Sequence, residues 1–217
     1  MSLKLILGNK NYSSWSLRPW IAMRQAGISF EEEIIPLYEP GSAERVLKYS
    51  PAGKVPILID GDMTIWESLA ILDHLAERFP KAQIWPSDLK ARAHARAISA
   101  EMHAGFAPLR RHCPMNMRRV NKRLELTPEV DANVRRIEAI WTDCRARFGQ
   151  GGPFLFGQFS AADAMYAPIV SRFSSYSIGV GAACEAYMAA MMALPAWQEW
   201  RADGVAEPWI MPGNEIG

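Results

Sequence analysis

Every segment with strand-like patterning lies before residue 67, and beyond it the apolar residues recur only at helical spacing. Leu3–Leu7 (LKLIL) reads as a buried strand, and Ile28–Ile35 as an edge strand with one wet face. Between them, Ser16–Ala26 reads as a helix that Gly27 ends, with Pro19 in its first turn, where a missing N–H does no harm. A β-α-β start results. A short helical piece near Ala43–Tyr49 precedes the run VPILI, the turn Asp60-Gly61-Asp62 and the run MTIW, which together read as a hairpin. Leu69, Leu72, Leu75, Ala76 and Phe79 then keep one helical face until Pro80. Four short strands and their helices fit inside residues 1–80, so this half is a small α/β unit.

Residues 81–87, flanked and closed by Pro80 and Pro86, have little periodicity and read as a linker. Residues 88–217 read as all-helical. Ser87 is placed to cap a long helix through about Arg111, bent near its end by Pro108. Thr127-Pro128-Glu129 starts another, whose stripe is Val130, Val134, Ile137, Trp141, Cys144 and Phe148, and Gly149–Pro153 stops it. Ser160 and Asp163 form a capping-box variant with Asp in place of Glu. Two shorter helices, Ala182–Ala193 and Ala196–Ala202, follow.

The charge balance, 24 Lys+Arg against 23 Asp+Glu, gives no global attraction to nucleic acid or to an anionic membrane. Six Lys/Arg between Arg110 and Arg123, with His112, either attract an anionic substrate or form a solvated loop, and the solvated loop is the preferred reading. The opening apolar stretch is too short for a signal peptide, and Asp163 and Glu185 interrupt the two best candidates for a membrane span. Cys113, Cys144 and Cys184, odd in number and far apart, suit reduced thiols in a cytosol. His74, His94, His103 and His112 lack the spacing that puts two metal ligands on one helical face, and neither HExxH nor CxxC occurs. There is no G-x-S-x-G elbow and no P-loop, and Gly179-Val180-Gly181 has no suitable strand before it.

Four local motifs occur in order: Tyr12-Ser13-Ser14-Trp15-Ser16-Leu17-Arg18 at the first helix, Lys54-Val55-Pro56 before the third strand, Glu67-Ser68-Leu69-Ala70-Ile71 at the third helix, and the Ser160–Asp163 box. With the α/β-then-helical layout they make nearly the whole chain resemble the cytosolic glutathione transferases, nearest to serine-type zeta and tau patterns. The resemblance implies a thioredoxin-like N-terminal domain and an all-α C-terminal domain. It also implies glutathione as co-substrate without a metal, a small apolar electrophile between the halves, a homodimer, and a cytoplasmic detoxification role.

Glutathione carries two carboxylates, an ammonium and a thiol, and the residues match those needs. A helix opening offers free N–H groups, so Ser68 can hold the γ-glutamyl carboxylate while Glu67 takes the ammonium. The resemblance implies a cis bond before Pro56 that turns the Val55 backbone toward the tripeptide, and places Lys54 near its glycyl carboxylate. Ser13, Ser14 and Ser16 all lie at the first helix's opening, where one hydroxyl can meet the sulfur while another caps the helix. The resemblance assigns the catalytic hydroxyl to Ser13, with Ser14 in reserve and Ser16 as cap; Tyr12 is the poorer donor. Trp15 stands near the position where zeta, beta and omega members carry cysteine, so no nucleophile is present for a mixed disulfide. The electrophile pocket is expected against Trp15, Met102, Phe106 and Arg110, the last three spaced four apart on the long helix. A glutathione-dependent isomerase or peroxidase, or a non-catalytic glutathione-binding protein of the same fold, is the alternative.

Overall fold

The computed structural model describes residues 2–120 and 123–216, so Lys122 of the basic run lies outside the described residues. The first half contains strand β1 (Leu3–Leu7), helix α1 (Ser14–Gln25), β2 (Phe30–Ile34), α2 (Ser42–Leu47), β3 (Ile57–Asp60), β4 (Met63–Trp66) and α3 (Ser68–Arg78). The sheet order is β2-β1-β3-β4. β1 runs parallel to β2, with Leu3 beside Phe30, and antiparallel to β3, with Ile6 beside Ile57; β3 and β4 form the expected hairpin.

Side chains alternate across a strand, and both faces of this sheet are covered. Leu3, Leu5 and Leu7 point into the main core with Trp20, Ile21, Leu72 and Leu75 of α1 and α3. Ile6 and Ile57 point the other way, against Val46 of α2 and Ile35. The second half is α4 (Leu89–Ala104), α5 (Ala107–His112), α6 (Pro128–Phe148), α7 (Ala161–Ser175), α8 (Ala182–Met192) and α9 (Pro195–Ala206). Every residue of α7 except Ser174 is buried, because this helix packs on α1, α4 and α8 at once. Its start is fixed by Asp163, which accepts from the Ser160 N–H (2.8 Å), the Ser160 hydroxyl (3.0 Å) and the Leu155 N–H (3.0 Å).

Two helix boundaries differ from the sequence expectation. α1 opens two residues earlier, with Ser13 rather than Ser16 as its cap, so Pro19 is the sixth helical residue and not in the first turn. The long helix expected from Ser87 to Arg111 is two helices: Asp88 caps α4 through the Ala91 N–H, and Gly105 with the left-handed Phe106 (φ 60°) separates α4 from α5. The reason is Pro108, whose ring in a continuous helix would strike the carbonyl of Ala104 and not merely bend the chain.

The loop between β1 and α1 is held from several sides. The Asn9 carboxamide accepts from the Leu37 N–H after β2, and the Asn11 carboxamide from the Arg118 N–H beyond α5. Glu207, just past α9, accepts from the N–H groups of both Lys10 (2.6 Å) and Asn11 (3.0 Å). The Lys10 ammonium lies over Trp20 and Trp200 and pairs with Glu32 and Asp203, both at 2.7 Å. At Gly204 a Cβ would stand 3.0 Å from the Asn11 nitrogen, so only glycine lets α9 approach this backbone so closely. Glu207→Ala leaves two part-buried N–H groups without their acceptor and is expected to lower stability by about 1–3 kcal/mol, read as a lower urea midpoint. An unchanged midpoint would show that the carboxylate does not hold the loop.

Candidate functional site

Between the halves lies an open cleft of about 1030 Å³. Its floor is the start of α1, where Ser13, Ser14 and Trp15 line it; one wall carries Lys54, Val55, Pro56 and Glu67, and the opposite wall carries His103, Arg110 and Arg172. The Val55–Pro56 peptide is cis, as the resemblance implies.

Ser13 and Ser14 are buried beneath the cleft surface. The Ser13 oxygen accepts from the Ser16 N–H (3.3 Å), and its hydroxyl donates to the Ser16 oxygen (2.8 Å), which also accepts from the Gly8 N–H (3.0 Å). The cap bond uses a lone pair, so the Ser13 proton remains free to turn toward another acceptor. No acidic residue occupies the first turn of α1, so the positive end of that helix dipole faces the cleft without a competing carboxylate. Tyr12 has its hydroxyl on Glu215 and, with burial the larger cause, is held above the usual phenol range.

Glu67 precedes α3 at φ 68° and ψ 123°, a backbone region costing about 1–3 kcal/mol for a residue other than glycine. Its exposed carboxylate reaches to 3.5 Å from His103 Nε2. Ser68 is at the helix start as expected but fully buried, its hydroxyl turned back to accept from Arg18 Nη1 at 3.4 Å. Lys54 stands exposed at the cleft rim.

Of the four residues expected to form an electrophile pocket, Trp15 and Arg110 line this cleft. Met102 and Phe106 do not: the break at Gly105 takes the three positions off one helical face, and both side chains are buried in the core. Polar groups occupy the wall instead. The Trp15 ring has the Arg18 guanidinium 4.1 Å from its centroid, Arg110 at 5.5 Å and the edge of His103 at 5.2 Å. Arg172, in the last turn of α7, donates from Nε to the Cys113 carbonyl (2.8 Å) and from Nη1 to the Pro168 carbonyl (3.1 Å). Burial, then repulsion by Arg172 and Arg110, pushes Arg18 down to about 9, and burial, then repulsion by Arg110, pushes Arg172 to about 10, which leaves both charged at neutral pH.

His103 and Arg172 lie outside the motifs, and Arg18, the last residue of the first one, was given no role there. One signal was available for the arginines: SWSLRPWIAM and APIVSRFSSY each place a single charge within an apolar stretch, with no acid three or four residues away.

Among the described residues, no group of three His, Cys, Asp or Glu is placed to share a metal ion, and no helix is long and apolar enough to cross a membrane. Residues 12–78 match the family model for the glutathione S-transferase N-terminal domain, and residues 127–203 that for the C-terminal domain. The chain belongs to the glutathione S-transferase family. A probable maleylacetoacetate isomerase of Caenorhabditis elegans is 36% identical over 97 residues, 45% of each chain, so the match spans less than half of that relative. The glutathione S-transferase Z2 of Arabidopsis thaliana is 25% identical over 182 residues, 79% of each chain. A solved glutathione transferase homolog from Burkholderia, with bound glutathione, superposes with a TM-score of 0.68 at 22% identity, over 95% of this chain and all of that one. The order of the small sheet and the helices is therefore the fold shared with that structure.

Burial and then the nearby Arg18 and Arg110 lower the His103 pKa below the usual imidazole range, against the raising effect of Glu67. His103 is thus expected to titrate below about 6.5 by NMR, and Arg110→Met to shift its midpoint upward. Because the folded value is depressed, stability linked to this group falls as pH drops from about 6.5 toward the folded midpoint. A midpoint at or above 6.5 would mean that the arginines do not face the imidazole.

Proposed function

We propose that the protein is a glutathione transferase in which Ser13 holds the thiolate of glutathione for attack on a small electrophile. The observation that carries this reading is the position of the Ser13 and Ser14 hydroxyls at the unopposed positive end of α1, on the floor of a cleft that also presents Lys54, Val55, Pro56 and Glu67. Residues 1–80 then serve as the glutathione-binding domain and residues 88–217 supply the electrophile wall, joined through 81–87.

A thiol of pKa about 8.5 is roughly 3% ionised at pH 7; lowering it by two units gives about 75%, for about 2.7 kcal/mol of differential stabilisation. The Ser13 proton turns from Ser16 to the sulfur, while the Ser13 oxygen keeps its cap bond to the Ser16 N–H. The helix end adds a favourable field. The sulfur then forms a bond to the electrophilic carbon, and the leaving group departs with its electron pair. Glu67 takes the glutathione ammonium, Lys54 the glycyl carboxylate and the α3 N-terminus at Ser68 the γ-glutamyl carboxylate. Since the Ser68 hydroxyl faces Arg18, its contribution is its backbone N–H.

A second reading, glutathione-dependent isomerisation, is favoured by the likeness to the worm protein named as a maleylacetoacetate isomerase. There the same thiolate adds to a double bond and leaves again. Trp15 in the cysteine position argues against thiol-disulfide exchange, because no sulfur is available to form the mixed disulfide.

Ser13→Ala is expected to raise the bound thiol's pKa and to lower conjugation at pH 7 by up to about 25-fold, with glutathione affinity nearly intact. The helix cap lost with it lowers stability by about 1 kcal/mol. Unchanged thiolate absorbance near 240 nm (roughly the usual thiolate band) would transfer the role to Ser14. Glu67→Ala should weaken glutathione binding about tenfold by calorimetry. Following the family's habit the protein is expected to pair as a homodimer, and sedimentation at the mass of one chain would reject that.

A further inference from the structure

The electrophile wall is charged where an apolar one was expected. Arg110 and Arg172 both line the cleft, and Arg18 lies behind Trp15. Among the described residues none of the three pairs with a carboxylate within 4 Å; the nearest acid, Glu67, is engaged with His103. Arg172 is 3% exposed, yet its two hydrogen bonds go to neutral carbonyls and use only Nε and Nη1. Arg110 makes one bond, from Nη1 to the Met102 carbonyl at 3.3 Å. Arg18 is fully buried, with Nε and Nη2 unpartnered.

Burying a guanidinium without a counter-ion costs several kcal/mol, and here Arg18 and Arg172 are buried and the half-buried Arg110 stands with them beside an open cleft. Burial is the larger cause of the lowered pKa of Arg18 and Arg172; repulsion by Arg172 and Arg110 adds to it at Arg18, and repulsion by Arg110 adds to it at Arg172. A bound anion would relieve that repulsion, and the planar fork of an arginine matches a carboxylate in shape.

We propose that Arg110 and Arg172 form a carboxylate subsite on the electrophile side of the cleft, so that the acceptor attacked by the thiolate carries an anionic group. The proposal rests on the glutathione-transfer reading above and names its substrate class. Arg18, stacked on the Trp15 ring, strengthens the local positive field. Glutathione's own carboxylates are the competing source of the anion. They are assigned to the opposite wall, at Lys54 and the start of α3.

The test uses one reacting centre with and without the charge: 4-(bromomethyl)benzoate and its methyl ester as electrophiles. The wild-type protein is expected to show kcat/KM about tenfold higher for the carboxylate, after correction for the uncatalysed rates. Arg110→Met should lower the carboxylate's kcat/KM about tenfold more than the ester's, with the KM for glutathione unaltered. Arg172→Lys, which keeps the charge and loses the fork, should do the same in part; circular dichroism checks that it folds. Equal wild-type rates for the two electrophiles, or equal losses in Arg110→Met, would overturn the subsite. A selective loss of glutathione affinity in Arg110→Met would also overturn it, by giving the arginines to the tripeptide.

Calorimetry with 4-methylbenzoate and methyl 4-methylbenzoate, in the presence of glutathione, needs no turnover. Binding of the acid but not the ester, abolished in Arg110→Met, would support the subsite even if no electrophile were consumed. In that case only the transferase reading would fail. Failure of the acid to bind would reject the subsite while conjugation of the ester left the transferase reading standing.

Discussion

The hydrogen bonds that gather on residues 8–16 govern the rest of this structure. The segment ends β1, caps α1 and receives bonds from three other parts of the chain. The Ser16 oxygen accepts from Gly8, and the Asn9 and Asn11 carboxamides accept from Leu37 and Arg118. Glu207 takes the N–H groups of Lys10 and Asn11. A polar loop of this kind is ordinarily the most mobile part of a fold. Here each backbone bond removes a freedom, so the Ser13 and Ser14 hydroxyls are held in place; for the role proposed for Ser13 this matters, because a misplacement of about 1 Å can lose two orders of magnitude in rate.

The second constraint is electrostatic. α7 is buried on all sides and still carries Arg172, while α1 carries Arg18 into the same interior. Replacing either with an apolar side chain of similar volume would remove a desolvation penalty, as often happens for buried ions. A fold selected only for stability has no use for them. Both charges lie along the joint between the halves, where Trp15, His103 and Arg110 also meet, so two buried cations without a paired carboxylate adjoin the cleft.

Much of this was legible in the residues. The switch of apolar period after Trp66 gave the order of strands and helices, since periods of two and of 3.6 are direct consequences of backbone geometry. The Lys54–Pro56 and Glu67–Ser68 motifs led to one wall of the cleft. The exact start of α1 was not legible, because Ser13, Ser14 and Ser16 are chemically equal as caps and only the bond from Gly8 to Ser16 distinguishes them. Met102, Phe106 and Arg110 misled for the opposite reason: their spacing imitates a helical face, while Pro108 and Gly105 forbid one. Glu207 carried no local signal at all, since its partners are 196 and 197 residues away in sequence.

That long separation has a consequence for how the molecule is made. The carboxylate that completes the backbone bonding of the Ser13 loop belongs to a residue almost two hundred positions later in the chain. Closing so long a loop costs more entropy than pairing neighbouring strands, so the sheet can assemble while the loop still lacks this acceptor. The geometry at the start of α1 is thereby a product of the final docking of α9 and not of local folding alone.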